Sequence, residues 1–220
     1  MKEINRILCT LLAVFFLTTG YAQQPRYYKD IQRFKSLDSA QFPPKKALLF
    51  IGSSSFTIWK DVQEYFPEHQ IINRGFGGST LPDLIRYVED IVYPYNPKQV
   101  VIYCGENDLA ASDTVNARTV AERFKTLFSL IRERYPKVPV LYVSMKPSPS
   151  RERLMQKMDA GNWAIESFLK QQKKADYLDV YHLMLDSDGR PREELFLKDM
   201  LHMNKEGYVI WQAALKPLLK

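Results

Sequence analysis

Ser54 stands in the run Gly52-Ser53-Ser54-Ser55, directly after the short apolar stretch Ala47-Leu48-Leu49-Phe50-Ile51. A hydroxyl at that point sits where a strand ends and a helix begins. A helix start carries unpaired backbone N–H groups and a positive partial charge, both suited to holding an oxyanion. On this feature alone, three serines after a strand are as readily a turn and a helix cap. A serine nucleophile also needs a base. The chain has three histidines, His69, His182 and His202. His69 precedes the second strand and falls at the far edge of the sheet. His182 follows the fifth strand and could reach the rim, but no carboxylate is read as orienting it within the same turn. His202 has Asp199 three residues before it. In a turn, that spacing sets carboxylate and imidazole side by side. Asp199 then accepts from one ring nitrogen and leaves the other to take the serine proton. A metal role finds no second His or Cys cluster to complete a ligand set.

A tetrahedral intermediate needs donors aimed at its oxygen. The side-chain amide of Asn107 and the backbone N–H of Gly78 can supply them, and glycine lets the backbone come close. Taken singly, Asn107 caps a turn and Gly78 shapes a loop. Taken together, the four segments are informative only if the fold brings them to one place.

The elements that would do so are legible. Tyr27 to Ser39 reads as a helix, with Ile31, Phe34 and Leu37 at helical spacing. Residues 47–51, 70–73, 99–103, 138–143 and 177–181 are short strands, mostly of the apolar kind that is buried on both faces. Helical character follows the first strand through Ile58, Trp59, Val62 and Phe66. It starts again at Thr80-Leu81-Pro82-Asp83, and runs over about 116–135, 151–174 and 205–218. The alternation predicts an α/β fold: a three-layer α/β/α sandwich on a parallel sheet of about five strands, flavodoxin-like. In such sheets ligands bind outside the carboxyl ends of the strands. Ser54, Gly78, Asn107 and the Asp199–His202 loop all fall at that edge, as does the loop Pro147 to Ser150.

The rest of the composition narrows the class. Hydrophobic residues make up 45% and charged residues 25% of 220, an ordinary globular balance with room for one core. Lys2 and Arg6, the apolar run Ile7 to Leu17, and Gly20-Tyr21-Ala22 read as a signal peptide over residues 1–22. That leaves one domain, residues 24–220, exported to a periplasmic or extracellular space. The apolar run is short for a membrane span, which needs about 20 residues, so no stable span is expected after cleavage. Cys9 leaves with the signal. Cys104, after an apolar strand, then has no disulfide partner and reads as a buried thiol. The formal charge of +6 is spread among both signs, which argues against a nucleic-acid partner.

Four ordered blocks resemble the SGNH hydrolases, the GDSL-like lipase and acylhydrolase family. They are Ile51-Gly52-Ser53-Ser54, Asn73-Arg74-Gly75-Phe76-Gly77-Gly78, Gly105-Glu106-Asn107-Asp108 and Asp199-Met200-Leu201-His202. The resemblance spans nearly all of the mature chain. It implies a serine esterase with Ser54 as nucleophile, His202 as base and Asp199 as its orienting acid. The oxyanion hole would be Ser54 N–H, Gly78 N–H and the Asn107 amide, and no cofactor or metal is implied. Ser53 replaces the Asp usual in the first block, which bears on how the nucleophile turn is ordered. The Gly-Ser-Ser-Ser form with Trp59 shortly after is similar to a branch of the family for which O-acetyl or other short acyl esters, plausibly on glycans or other small molecules, are implied. A lipid or thioester acylhydrolase of the same mechanism is one alternative. A non-catalytic binding module is another.

Overall fold

The computed structural model describes residues 24–220, and the expected signal peptide lies outside the described residues. Helix α1 (Tyr28–Ala40) leads into β1 (Leu48–Gly52). Two short helices follow, α2 (Ser54–Ile58) and α3 (Val62–Tyr65). Then come β2 (Ile71–Gly75), α4 (Leu81–Arg86), α5 (Val88–Ile91) and β3 (Gln99–Tyr103). Helices α6 (Glu106–Ala111) and α7 (Ala117–Arg134) precede β4 (Val140–Val143). A 3₁₀ segment, Pro149–Leu154, feeds α8 (Met155–Leu169), and β5 (Ala175–Leu178) and α9 (Lys205–Leu215) complete the order.

The five strands form one parallel sheet in the order β2-β1-β3-β4-β5. This is the flavodoxin-like order, and the strand sequence reverses between β1 and β3. The expected architecture is therefore the one observed. Side chains alternate between two cores. Leu49, Ile51, Val100, Ile102, Val140 and Tyr142 share one core with α1, α4, α5, α7 and α8. Leu48, Phe50, Val101, Tyr103, Leu141 and Val143 share the other with α2, α3 and α9. Burial on both faces is why these strands read as continuous apolar runs.

Three local expectations change. The helix after β1 breaks into α2 and α3, because the buried Trp59 ring turns under α9 to pack on Tyr208 at 4.7 Å and Trp211 at 6.3 Å. The segment after β3, where Asn107 taken singly reads as capping a turn, forms the short helix α6. The helix expected over 151–174 forms only from Met155 to Leu169, preceded by 3₁₀ turns. Cys104 is fully buried, and burial pushes its thiol well up, away from thiolate chemistry. Among the described residues, no helix is long and apolar enough to cross a membrane.

Candidate active site

The nucleophile turn is fixed by backbone. Gly52 has φ +147°, and a Cβ there would overlap the Tyr103 carbonyl oxygen, so only glycine fits. Ser53 N–H donates to that same Tyr103 oxygen at 3.0 Å. The Ser53 carbonyl accepts from Phe56 N–H and Thr57 N–H, both at 3.1 Å, and from the Thr57 hydroxyl at 3.1 Å. The turn is thus ordered without an Asp at position 53. The Ser53 hydroxyl itself is buried and makes no hydrogen bond.

Ser54 opens α2 and borders a cleft of about 410 Å³. The same cleft is lined by Thr57, Ile58, Gly77, Gly78, Asn107, Arg151, Leu201 and His202. The structure therefore gathers segments following β1, β2 and β3 with the loop before α9. Asp199, which does not line the cleft, stands behind His202. Its Oδ2 accepts from His202 Nδ1 at 2.6 Å, which leaves Nε2 as the acceptor nitrogen. Its Oδ1 accepts from the backbone N–H groups of Leu201 and His202, both at 3.0 Å. The His202 N–H and the imidazole, in that order, hold the Asp199 carboxyl down at about 2.

The loop bearing this pair is a closed turn, not a helix. Leu197 N–H donates to the His202 carbonyl at 2.7 Å, Phe196 bridges to Met203, and Met200 adopts a left-handed φ of +53°. The Asx-type bonds of Asp199 compensate that unfavourable backbone.

The donors opposite are equally defined. Among the described residues, the N–H groups of Ser54 and Gly78 have no hydrogen-bond partner, and Gly78 takes φ +78°. Asn107 donates one N–H to the Ser79 carbonyl at 3.0 Å and keeps the second. Asp108 stitches the same two segments together: its Oδ2 accepts from Leu81 N–H at 2.9 Å and its Oδ1 from Arg123 at 2.7 Å.

Four charged residues were not singled out from the sequence. Asp108 is the first. The others form a buried array: Glu106 and Lys146, each 1% exposed, with Arg151. Burial raises the Glu106 carboxyl, but Lys146, Arg151 and the Tyr103 hydroxyl outweigh it and hold it below its ordinary value. Lys146 Nζ donates to the Leu201 carbonyl at 2.8 Å, beside His202. A lysine directly after a buried strand at the ligand edge was the available signal. One reading is corrected. His182 does have a carboxylate in its turn, because Asp179 Oδ2 lies 2.7 Å from its Nδ1. The Asp-x-x-His spacing occurs twice, but neither Asp179 nor His182 borders the cleft.

A parallel 2-1-3-4-5 sheet with a cleft bordered by Ser54, Asn107 and His202 beside its β1/β3 reversal defines an α/β enzyme of the flavodoxin-like class. Within it, the chain belongs to the GDSL-like lipase/acylhydrolase family, whose model matches residues 25–210, and it is a carboxylic ester hydrolase. No curated protein matches it in sequence. Among solved structures it is similar to a GDSL-like lipase from Bacteroides thetaiotaomicron, at 24% identity and TM-score 0.74, over 86% of this chain and 96% of that one. It is also similar to a mutant form of Axe2, an acetyl-xylooligosaccharide esterase from Geobacillus stearmophilus. That match has 19% identity and TM-score 0.61, over 78% of this chain and 93% of the other. A family 3 carbohydrate esterase from Clostridium thermocellum gives 16% identity and TM-score 0.60, over 80% and 97%. At these identities the likeness carries the fold alone.

Proposed function

We propose that the protein hydrolyses short-chain, chiefly acetyl, O-esters of carbohydrates or similar small alcohols through a covalent acyl-enzyme on Ser54. One observation carries the reading. A serine hydroxyl, an Asp-held imidazole and three unpartnered N–H donors border a single cleft. His202 Nε2 takes the Ser54 proton as the hydroxyl attacks the ester carbonyl, and Asp199 steadies the resulting imidazolium. The oxyanion is held by Ser54 N–H, Gly78 N–H and the free N–H of Asn107. The protonated imidazole then delivers its proton to the leaving alcohol, and water repeats the cycle to release the acid.

The cleft volume favours a small acyl group. About 410 Å³ is near the low end for small-molecule sites, and Ile58 and Leu201 are the aliphatic side chains on its lining. The carbohydrate esterases among the structural relatives point to the same substrate class. Export is part of the proposal, on the strength of residues 1–22, and N-terminal sequencing of the secreted or periplasmic protein should begin at Gln23.

The test is acetyl release from acetylated sugars and from p-nitrophenyl acetate, with labelling by a serine-directed phosphonate. Ser54→Ala and His202→Ala are expected to fold and to lose on the order of 10⁴–10⁶ in kcat. Label on another residue, or near wild-type turnover by either variant, would overturn the reading.

A further inference from the structure

The Asn107 amide is constrained at both ends. Its Nδ2 donates to the Ser79 carbonyl, which can only accept. Its Oδ1 accepts from Arg151 Nη2 at 2.8 Å, and a guanidinium can only donate. Flipping the amide would set NH₂ against the guanidinium and oxygen against a carbonyl, so one orientation survives. In that orientation the second N–H of Nδ2 is the only donor of the side chain left over.

Arg151 is itself held in place. Its Nη1 lies 3.4 Å from Glu106 Oε1 and has no hydrogen-bond partner of its own, while only 17% of its side chain is exposed. Glu106 is fixed from its other side by the Tyr103 hydroxyl at 2.6 Å and by Lys146 at 3.6 Å. A buried carboxylate facing two cations is costly to assemble. None of Tyr103, Glu106 or Lys146 borders the cleft, so this array reaches the chemistry only through what it holds.

We propose that Arg151 is a positioning residue that fixes the Asn107 amide so that its free N–H is presented to the oxyanion, with the buried Glu106 anchoring the guanidinium. This rests on the esterase reading above. The contact exists before substrate binds, so its benefit falls on the transition state. Loss of Arg151 should therefore lower kcat and leave KM nearly unchanged.

The experiment is a double-mutant cycle on p-nitrophenyl acetate with Arg151→Met, Asn107→Ala and the double variant, each checked for folding by thermal melting. Asn107→Ala should lose about 10²–10³ in kcat. Arg151→Met should lose about tenfold or more, with KM within about threefold. In the Asn107→Ala background, the Arg151 change should cost less than about twofold, because the two act as one unit. Arg151→Gln, which can still donate to Asn107 Oδ1, should recover part of the rate, and it provides the readout if Arg151→Met does not fold. Wild-type kcat in the folded Arg151 variants, or two losses that simply multiply, would overturn the proposal. An inactive wild type, or an active Ser54→Ala, would instead sink the esterase reading on which it stands.

Discussion

The Tyr208 hydroxyl donates to the Ser55 carbonyl at 2.8 Å, across 153 residues of sequence. Tyr208 lies on α9, directly after the loop of Asp199 and His202. Ser55 lies on α2, next to Ser54. This bond, with the packing of Trp211 on Phe56 at 6.2 Å and of Trp59 on Tyr208, joins the two halves of the site. Tyr208→Phe keeps the ring and removes the bond. We expect a loss of about 1 kcal/mol in unfolding free energy and a fall in kcat, both measurable by denaturant titration and initial rates. Unchanged values for both would show that the helices are held by ring packing alone.

The Asp199 carboxyl is held at about 2, below its ordinary 3.8. A depressed acid stabilises the folded state above its unfolded pKa, and that contribution is lost as pH falls through the folded value. Asp199 is about half exposed, so the effect is screened to under about 1 kcal/mol. The difference in Tm between wild type and Asp199→Asn should not shrink from pH 8 to 5 and should narrow only below about pH 4. Any acid loss of activity above pH 5 then belongs to a group other than Asp199. A Tm difference that already shrinks between pH 7 and 5 contradicts this.

Lys146 and Glu106 are buried together. Lys146→Met leaves the buried Glu106 carboxylate with Arg151 as its one remaining cation, beside the Tyr103 hydroxyl, and frees the Leu201 carbonyl. We expect a destabilisation of about 3–5 kcal/mol. Adding Glu106→Gln should recover part of it, since the buried carboxylate is removed and the one charge left over, the Arg151 guanidinium, borders the cleft and is partly exposed. Chemical denaturation of the two variants checks the order.

Gly52→Ala drives a methyl into the Tyr103 carbonyl oxygen at φ +147°. Both the overlap and the backbone region are unfavourable, and about 3 kcal/mol or more should be lost. A denaturant midpoint near wild type would mean that the β1–β3 junction can relax.

Most of the frame was legible because its signals are local. Strands buried on two faces give short apolar runs, as at Val100-Val101-Ile102, and their alternation with helices dictates a parallel sheet. Asp199 and His202 are three residues apart, so their pairing needs only a turn. The same logic should have exposed Asp179 and His182, and it shows why spacing alone cannot choose between two identical pairs. The break at Trp59 was hidden because the packing demand comes from α9, at the other end of the chain.

The amino-acid sequence by itself determined the class of fold, the edge at which the candidate residues gather, and the family. It did so because backbone hydrogen bonding and apolar periodicity act over a few residues at a time. Only the tertiary structure decided that His202 rather than His182 shares a cleft with Ser54. It alone decided that backbone bonds replace a missing Asp at Ser53, and that Glu106, Lys146 and Arg151 meet beneath Asn107. Those outcomes depend on burial and on charges brought together from distant segments. A buried charge is tolerable only where its partners converge, and which charges converge is set by the packed layers.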